Sequence, residues 1–168
     1  MNTKVILISK TDRTVAVTVQ TRATVAPRRA FEAIVPIDLS LIFTGWGPFP
    51  AVRGATNQTD TWDHAGSSRN PQLSDGSTAS ETLTEYASGH SFAYELTDFT
   101  NILGRVVCGV RGEWTFTPDG DGTIIRWTYE FKPRPRCDPL VRVAVAPLWR
   151  RYMQAALEKA TRIAEQQP

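Results

Sequence analysis

The chain has 168 residues, of which 41% are apolar and 21% charged, and its net charge is +2. These fractions exclude disordered and fibrous classes, the balanced charge argues against a nucleic-acid-binding surface, and the length fits one domain with its own core. No apolar run approaches the roughly 18 residues that cross a bilayer, and the best early run, Val5–Ile8, is too short for a signal-peptide core. We therefore expect a single cytoplasmic domain over residues 1–168, without stable membrane insertion.

Alternating side chains predict a long first strand over Arg13–Val25, with valines on one face and polar residues on the other. Residues 1–12 form either an additional strand, at Val5–Ile8, or a loose terminal segment. Pro27 begins a short helix that stops at Pro36, since proline is tolerated in a first helical turn. Asp38 is a good N-cap for a second short helix, Leu39–Phe43.

From Val52 onward the pattern changes to strands separated by turns rich in Gly, Asp and Ser. The predicted strands are Val52–His64, Arg69–Leu73, Ser77–Tyr86, His90–Leu96, Arg105–Thr117 and Thr123–Lys132. Most connections are short enough for hairpins, so an antiparallel meander is expected, with Thr97–Gly104 as one longer connection. Pro71 marks its strand as an edge strand or an irregular one.

A proline-rich hinge, residues 133–136, precedes the last predicted element. Asp138 is placed to cap a long helix with Pro139 at its first position, and Pro147 should kink or split that helix. Its apolar stripe follows a spacing of three to four residues. The stripe consists of Val141, Val145, Leu148, Tyr152, Ala156, Ala160 and Ile163. Only this helix is long enough to cover the sheet, so we expect an α+β fold in which a curved sheet wraps around it.

The order of elements, with Pro27-x3-Phe31 after the first strand, resembles the START-like helix-grip superfamily, also called SRPBCC. More narrowly, the chain is similar to bacterial proteins grouped with polyketide cyclases and lipid-transport proteins. The motifs are Gly47-Pro48-x-Pro50-x-Val52, Trp62, Gly66-x2-Arg69, Leu73-Ser74-Asp75-Gly76, Glu81-x-Leu83, Tyr94 and Trp127-x-Tyr129-x-Phe131. The resemblance spans Val15 to Ala164. It implies about seven strands, two short helices after the first strand, and a hydrophobic cavity between sheet and helix.

The predicted inner face of the sheet is unusually aromatic, and its rings alternate with mostly polar residues. Such rings either fill a core or line a pocket, and we expect a cavity because the sheet is too wide for one helix to fill. The expected ligand-binding residues are Trp62, Arg69, Glu81, Leu83, Phe92, Tyr94, Trp114, Trp127, Tyr129 and Tyr152. No cofactor is expected.

Arg69 and Glu81 form the most informative pair. A three-residue turn at 74–76 with a left-handed glycine makes Leu73 pair with Ser77 and places Arg69 opposite Glu81. The pair either orients the polar end of a ligand inside the cavity or is an ion pair that satisfies itself.

The candidate catalytic residues are Arg69, Tyr94 and His64. An imidazole facing a cavity could act as a general base, although a histidine at a strand end is more typical of a rim. The sequence has no nucleophile elbow, and two cysteines, Cys108 and Cys137, make neither a disulfide framework nor a zinc site alone. The acidic residues at 119–121 are typical of a hairpin turn. No metal site is expected.

The loop at 45–50 carries Trp46 and Phe49, which either form a hydrophobic gate or pack on the last helix as plugs. The favoured function is binding of a lipid, a fatty acyl chain or an aromatic polyketide-like molecule, as carrier or sensor. The alternative is a metal-free aromatase/cyclase or dehydratase. A third reading is a protein-interaction module around Trp46, Phe49 and Trp149. Monomer and dimer both remain open.

Overall fold

Seven strands and a long C-terminal helix dominate the computed structural model, which describes residues 8–9 and 11–166. The strands are β1 (Val15–Ala23), β2 (Val52–Thr56), β3 (Ser68–Leu73), β4 (Ser80–Ala87), β5 (Ser91–Thr97), β6 (Val107–Asp119) and β7 (Gly122–Pro133). The helices are α1 (Pro27–Ile34), α2 (Leu39–Ile42), α3 (Leu103–Val106), α4 (Asp138–Leu140) and α5 (Ala146–Gln166). A π-helical turn, Val141–Val145, joins the last two helices. Apart from Ile8, the predicted strand Val5–Ile8 lies outside the described residues.

The strands form a single antiparallel sheet in the order β1-β7-β6-β5-β4-β3-β2. Each strand from β2 to β6 pairs with its successor, and β1 pairs with β7. The predicted meander is therefore confirmed. Strand β3 pairs with β4 only at Ser68 and Arg69, because Pro71 has no N–H with which to continue the ladder.

The inner face of the sheet follows the predicted alternation. Along β7, Ile125, Trp127, Tyr129 and Phe131 are all buried, while the residues between them are more exposed. Helix α5 packs against β1 and α1, and Ala156 and Ala160 of this helix are completely buried. Each large side chain buried in this way contributes about 1.5–3 kcal/mol. The helix-grip architecture is thus held by a continuous apolar core.

The structure corrects the predicted end of the second strand. Strand β2 stops at Thr56 instead of continuing to His64. Asn57, Asp60 and Trp62 have positive φ angles, which a β-strand cannot accommodate, and residues 57–67 form an irregular loop. Asn and Asp enter this backbone region more readily than other residues with a side chain, which explains why the strand breaks where they occur.

Two further predicted boundaries are wrong. The connection predicted at Thr97–Gly104 and the first residues of the next predicted strand contain α3. Asp138 does not cap the C-terminal helix: Cys137 is at the N-cap, and the Asp138 carboxylate instead accepts from Arg142, 3.2 Å away. By contrast, the Asp38 carboxylate caps α2 by accepting from the Ser40 N–H, as predicted.

The C-terminal helix is interrupted near Pro147, as its sequence predicts. The π-helical turn ends just before α5, and Pro147 is the second residue of α5. Because proline has no N–H, it cannot bond to the carbonyl four residues earlier, and a locally altered hydrogen-bond pattern results. No helix within the described residues is long and apolar enough to cross a membrane.

Candidate ligand-binding cavity

A cavity of about 360 Å³ lies between the concave face of the sheet, α2, the 45–50 loop and the start of the C-terminal helix. Its walls are overwhelmingly apolar and aromatic. This volume falls within the range of about 300–1,000 Å³ that is typical of small-molecule sites. The aromatic inner face therefore lines a pocket in addition to filling a core.

The structure brings most of the predicted ligand-binding residues to this cavity. Those that line it are Trp62, Arg69, Glu81, Phe92, Tyr94, Trp114, Trp127, Tyr129 and Tyr152. Leu83 does not: it is fully buried in the core, so its predicted position at the cavity is wrong. Which of these residues contact a ligand stays a prediction.

Sequence reasoning missed the wall contributed by short helices and loops. Ile42 of α2, Phe99 and Ile102 before α3, and Leu140 and Ala144 in the last helix all line the cavity. A signal was present in Ile102 and Leu103, which are adjacent apolar residues within the predicted connection Thr97–Gly104. Connections between strands and helices have no regular hydrophobic periodicity, so the sequence pattern does not show which of their residues face inward.

Arg69 and Glu81 lie opposite each other in β3 and β4, and Arg69 Nε donates to Glu81 Oε2 at 2.5 Å. The turn between them has the predicted form: the Leu73 N–H donates to the Ser77 carbonyl, and Gly76 has φ +84°. Both side chains are almost completely buried, at 9% and 5% exposure. The predicted register is confirmed, and it places one ion pair on the wall of an apolar cavity.

Besides its ion pair with Glu81, the guanidinium of Arg69 contacts the ring of Trp62. The Arg69 Cζ lies 4.0 Å from the centroid of the Trp62 ring, a cation–π contact. Trp62 is itself buried, although it comes from the irregular loop and not from a strand. No described residue accepts a hydrogen bond from the two Nη groups of Arg69. These donors are therefore available to a ligand.

Tyr94 and Trp127 form a hydrogen-bonded pair within the aromatic wall. The Trp127 Nε1–H donates to the Tyr94 hydroxyl oxygen at 3.1 Å, which leaves the Tyr94 O–H free to donate. Burial raises the pKa of Tyr94 far above its ordinary value, and burial raises that of Tyr129 well above it too. Both hydroxyls therefore stay neutral at physiological pH.

The 45–50 loop is closed over the cavity and bonded to α5. The Tyr152 hydroxyl donates to the Pro50 carbonyl at 2.9 Å and accepts from the Gly45 N–H at 3.1 Å. The Phe49 ring lies parallel to that of Tyr152 at 5.8 Å and meets Trp149 edge-on at 4.9 Å. Phe49 thus packs on the last helix, as a plug would.

Trp46 behaves differently from Phe49. It is half-buried, does not line the cavity, and exchanges two backbone hydrogen bonds of 3.0 Å with Phe49 across the tip of the loop. Its role in the loop is therefore to close a tight turn that holds Phe49 in place.

His64 does not face the cavity, so of the two sequence interpretations its position agrees with an exposed residue and not with an inward-facing base. It is exposed in the 57–67 loop, where its Nδ1 lies 2.8 Å from Asp63 and its Nε2 lies 3.5 Å from Asp60. The hydrogen bond to Asp63 raises the pKa of His64 above its ordinary value. The inward-facing alternative required β2 to continue to His64, and β2 ends at Thr56.

The remaining chemical candidates have structural roles. The turn at 119–121 is a hairpin turn whose two carboxylates both accept from Arg22, at 2.7 and 2.9 Å. Cys108 and Cys137 are half-buried and not bonded to each other. Within the described residues, no group of three or more His, Cys, Asp or Glu side chains could hold a metal ion.

Comparison with known proteins decides the family. Residues 14–165 match the family described as "Polyketide cyclase / dehydrase and lipid transport". The chain belongs to this family. Membership in the polyketide cyclase and lipid-transport family supports binding of hydrophobic ligands in general, and it confirms the START-like assignment. A search of curated protein sequences finds no match.

Solved structures share the fold of this family member at low sequence identity. Truncated norcoclaurine synthase from Thalictrum flavum is 11% identical, with a TM-score of 0.67 over 96% of this chain and 100% of its own. Ginseng major latex-like protein 151 from Panax ginseng is 12% identical, with a TM-score of 0.64 over 89% and 96%. The protein XoxI from Bacillus cereus is 13% identical, with a TM-score of 0.64 over 90% and 96%. These similarities establish the helix-grip fold alone.

Proposed function

We propose that the protein binds a small or medium hydrophobic molecule with one polar group, as a carrier or sensor. The observation that carries this proposal is Arg69, the one cation that the described residues place on the wall of a predominantly apolar cavity. Neither of its Nη groups has a hydrogen-bond acceptor among the described residues. These Nη groups are not among the fully buried polar atoms that lack a partner, so they stay accessible on the cavity wall and can donate to a ligand oxygen.

The chemistry around Arg69 favours a carbonyl, a carboxylate or a phenol at the polar end of the ligand. Arginine donates in a planar fork that matches carboxylate and carbonyl oxygens. Glu81 already compensates its charge, so a neutral acceptor can bind without leaving a net charge buried. Tyr94 supplies a neutral hydroxyl in the same wall.

The volume and walls of the cavity favour lipids, fatty acyl chains and aromatic polyketide-like molecules. Flat rings such as Phe92, Trp114 and Trp127 offer large contact areas to an acyl chain or to a fused ring system. At about 360 Å³ the space lies near the lower end of the usual range, which favours one chain or a few rings over a whole two-chain lipid.

The proposal is tested by native mass spectrometry with organic extraction of gently purified protein, followed by titration with a fluorescent fatty acid. We expect a 1:1 complex, and we expect Arg69→Met to weaken it by about 10- to 100-fold, since hydrogen bonds to charged groups contribute about 1.5–3 kcal/mol. Arg162→Met, which changes an exposed arginine on α5, serves as the matched control. Failure to take up any apolar probe would contradict the proposal.

An aromatase or cyclase activity is the second candidate, and one observation favours it. Arg69 and the neutral hydroxyls of Tyr94 and Tyr129 all lie on the wall of one cavity, where they can polarise the carbonyls of a folded poly-ketone. An enzyme should lose about tenfold or more in turnover of a poly-ketone substrate with Tyr94→Phe while still binding product. A carrier shows only a graded loss of affinity.

A further inference from the structure

Four aliphatic side chains stand exposed where the last helix and the 97–106 connection meet. Ile102 is 76% exposed, Leu140 50% and Leu148 37%, yet all three also line the cavity, so they lie at its mouth. Val143, between Leu140 and Leu148 in the last helix, is 76% exposed and does not line the cavity. We call Ile102, Leu140, Val143 and Leu148 the mouth rim. A ligand inside the cavity does not cover Val143, so this rim needs another explanation.

The two chain segments that carry the mouth rim have more basic than acidic side chains. Residues 97–106 and 133–148 contain four arginines, two aspartates and no other charged residue, so their net charge of +2 equals that of the whole chain. The arginines, all exposed, are Arg105, Arg134, Arg136 and Arg142. Arg134 Nε donates to the Gly104 carbonyl at 2.8 Å, which fixes the proline-rich hinge beside α3. The excess positive charge of the protein is thus concentrated beside an apolar opening.

We propose that the mouth rim docks on the surface of an anionic lipid bilayer, so that the cavity opens directly onto acyl chains. Aliphatic tips enter the boundary between headgroups and acyl chains, and arginines beside them attract anionic headgroups. A protein partner fits less well, because protein interfaces concentrate binding energy in aromatic residues, and the mouth rim has none. Docking is independent of the proposed function, since an empty cavity would present the same surface.

Vesicle flotation of the intact protein tests the docking. We expect flotation with vesicles of mixed phosphatidylglycerol and phosphatidylcholine, little with phosphatidylcholine alone, and release at high salt. The double variant Ile102→Asp/Val143→Asp should reduce the bound fraction by about tenfold or more. Leu41→Asp is the matched control, because Leu41 is 55% exposed on α2 and does not line the cavity.

The charge contribution needs a separate pair of variants. Arg105→Gln/Arg136→Gln should weaken flotation, whereas Arg162→Gln, an exposed arginine at the far end of α5, should leave it unchanged. Absence of flotation, or equal flotation by the mouth-rim variant, overturns the proposal. Self-association in sedimentation velocity that the mouth-rim variant abolishes would also overturn it, in favour of a second copy as the occupant. Uptake of a fluorescent fatty acid in solution, measured in parallel, separates failure of docking from failure of the cavity.

Discussion

The ring of Tyr94 lies where a side chain on Gly112 would have to be. The two residues are directly opposite in β5 and β6, and a Cβ built on Gly112 would come within 2.2 Å of the Tyr94 Cζ. Only a glycine lets the tyrosine lie flat across β6, with its hydroxyl beside Trp127. Gly112 therefore sets the shape of the aromatic wall.

Gly112→Ala should push the Tyr94 ring off β6, with the loss of its hydrogen bond to Trp127. Overpacking of this kind costs about 1–3 kcal/mol in the free energy of unfolding, and displacement into the cavity should also weaken uptake of a fluorescent fatty acid. Urea denaturation gives the first quantity and titration the second. In a Tyr94→Leu background the same change should cost much less, because the obstructing ring is gone. Equal costs in both backgrounds would contradict this account.

Glu81→Gln should destabilise the protein strongly, because it leaves the buried guanidinium of Arg69 without its counter-charge. Breaking a buried ion pair costs about 3–5 kcal/mol, which urea denaturation resolves readily. The double variant Arg69→Met/Glu81→Gln should recover part of that loss.

The exposed pair of Arg28 and Glu32 provides the control for this experiment. These two side chains are 79% and 60% exposed, and Glu32→Gln should change the free energy of unfolding by less than about 1 kcal/mol. A similar small effect of Glu81→Gln would show that the Arg69 guanidinium is solvated and not dependent on its partner.

Tyrosine ionisation provides a test of burial that depends on pH. All four tyrosines have a raised pKa, chiefly through burial, and the rise is largest at Tyr94 and Tyr129. A spectrophotometric titration of the native protein should therefore show little tyrosinate near pH 10. Protein in guanidinium chloride should titrate all four near the ordinary value of about 10.

The same shifts predict how stability depends on pH. The tyrosine pKa values are higher in the folded protein than in the unfolded chain. The stability that depends on neutral tyrosines is therefore fully present below a pH of about 10, and it is lost as the pH rises through the folded-state pKa values. Above that point each buried tyrosine lowers the free energy of unfolding by up to about 1.4 kcal/mol per pH unit. The slope should be shallower in Tyr129→Phe. An unchanged slope would contradict the burial of its hydroxyl.

Tyr152→Phe should speed ligand exchange. The substitution removes both hydrogen bonds that join α5 to the 45–50 loop, at Gly45 and Pro50, and keeps the ring that packs on Phe49. Opening of this loop is the gate alternative that the sequence analysis left open beside the plug. Stopped-flow fluorescence with a fluorescent fatty acid should show faster uptake and release, by about fivefold or more, since each lost bond contributes about 0.5–1.5 kcal/mol.

Tyr86→Phe is the matched control for this loop experiment. Tyr86 is half-buried in β4, contacts the ring of Phe31, and does not line the cavity. Its substitution should leave the exchange rates unchanged. If Tyr152→Phe also leaves them unchanged, the ligand enters elsewhere, and the mouth rim becomes the route to examine.

The sequence determined the order of the elements, the alternating inner face and the ion pair. Strand periodicity, proline and glycine positions and turn chemistry are local properties, so the three-residue turn at 74–76 was enough to place Arg69 opposite Glu81. The family motifs added the cavity, because their order matches a known architecture.

Only the tertiary structure decided which of these residues meet in the cavity. Trp62 reaches Arg69 through a left-handed backbone. Leu83 shares the inward face of β4 with Glu81, yet it packs in the core and does not line the cavity. A bulge after Leu83 turns Glu85 outward to Arg111, 2.9 Å away. The mouth rim is likewise exposed because no element among residues 11–166 covers that part of the last helix. These outcomes depend on surfaces far apart in the chain, and no local pattern encodes them.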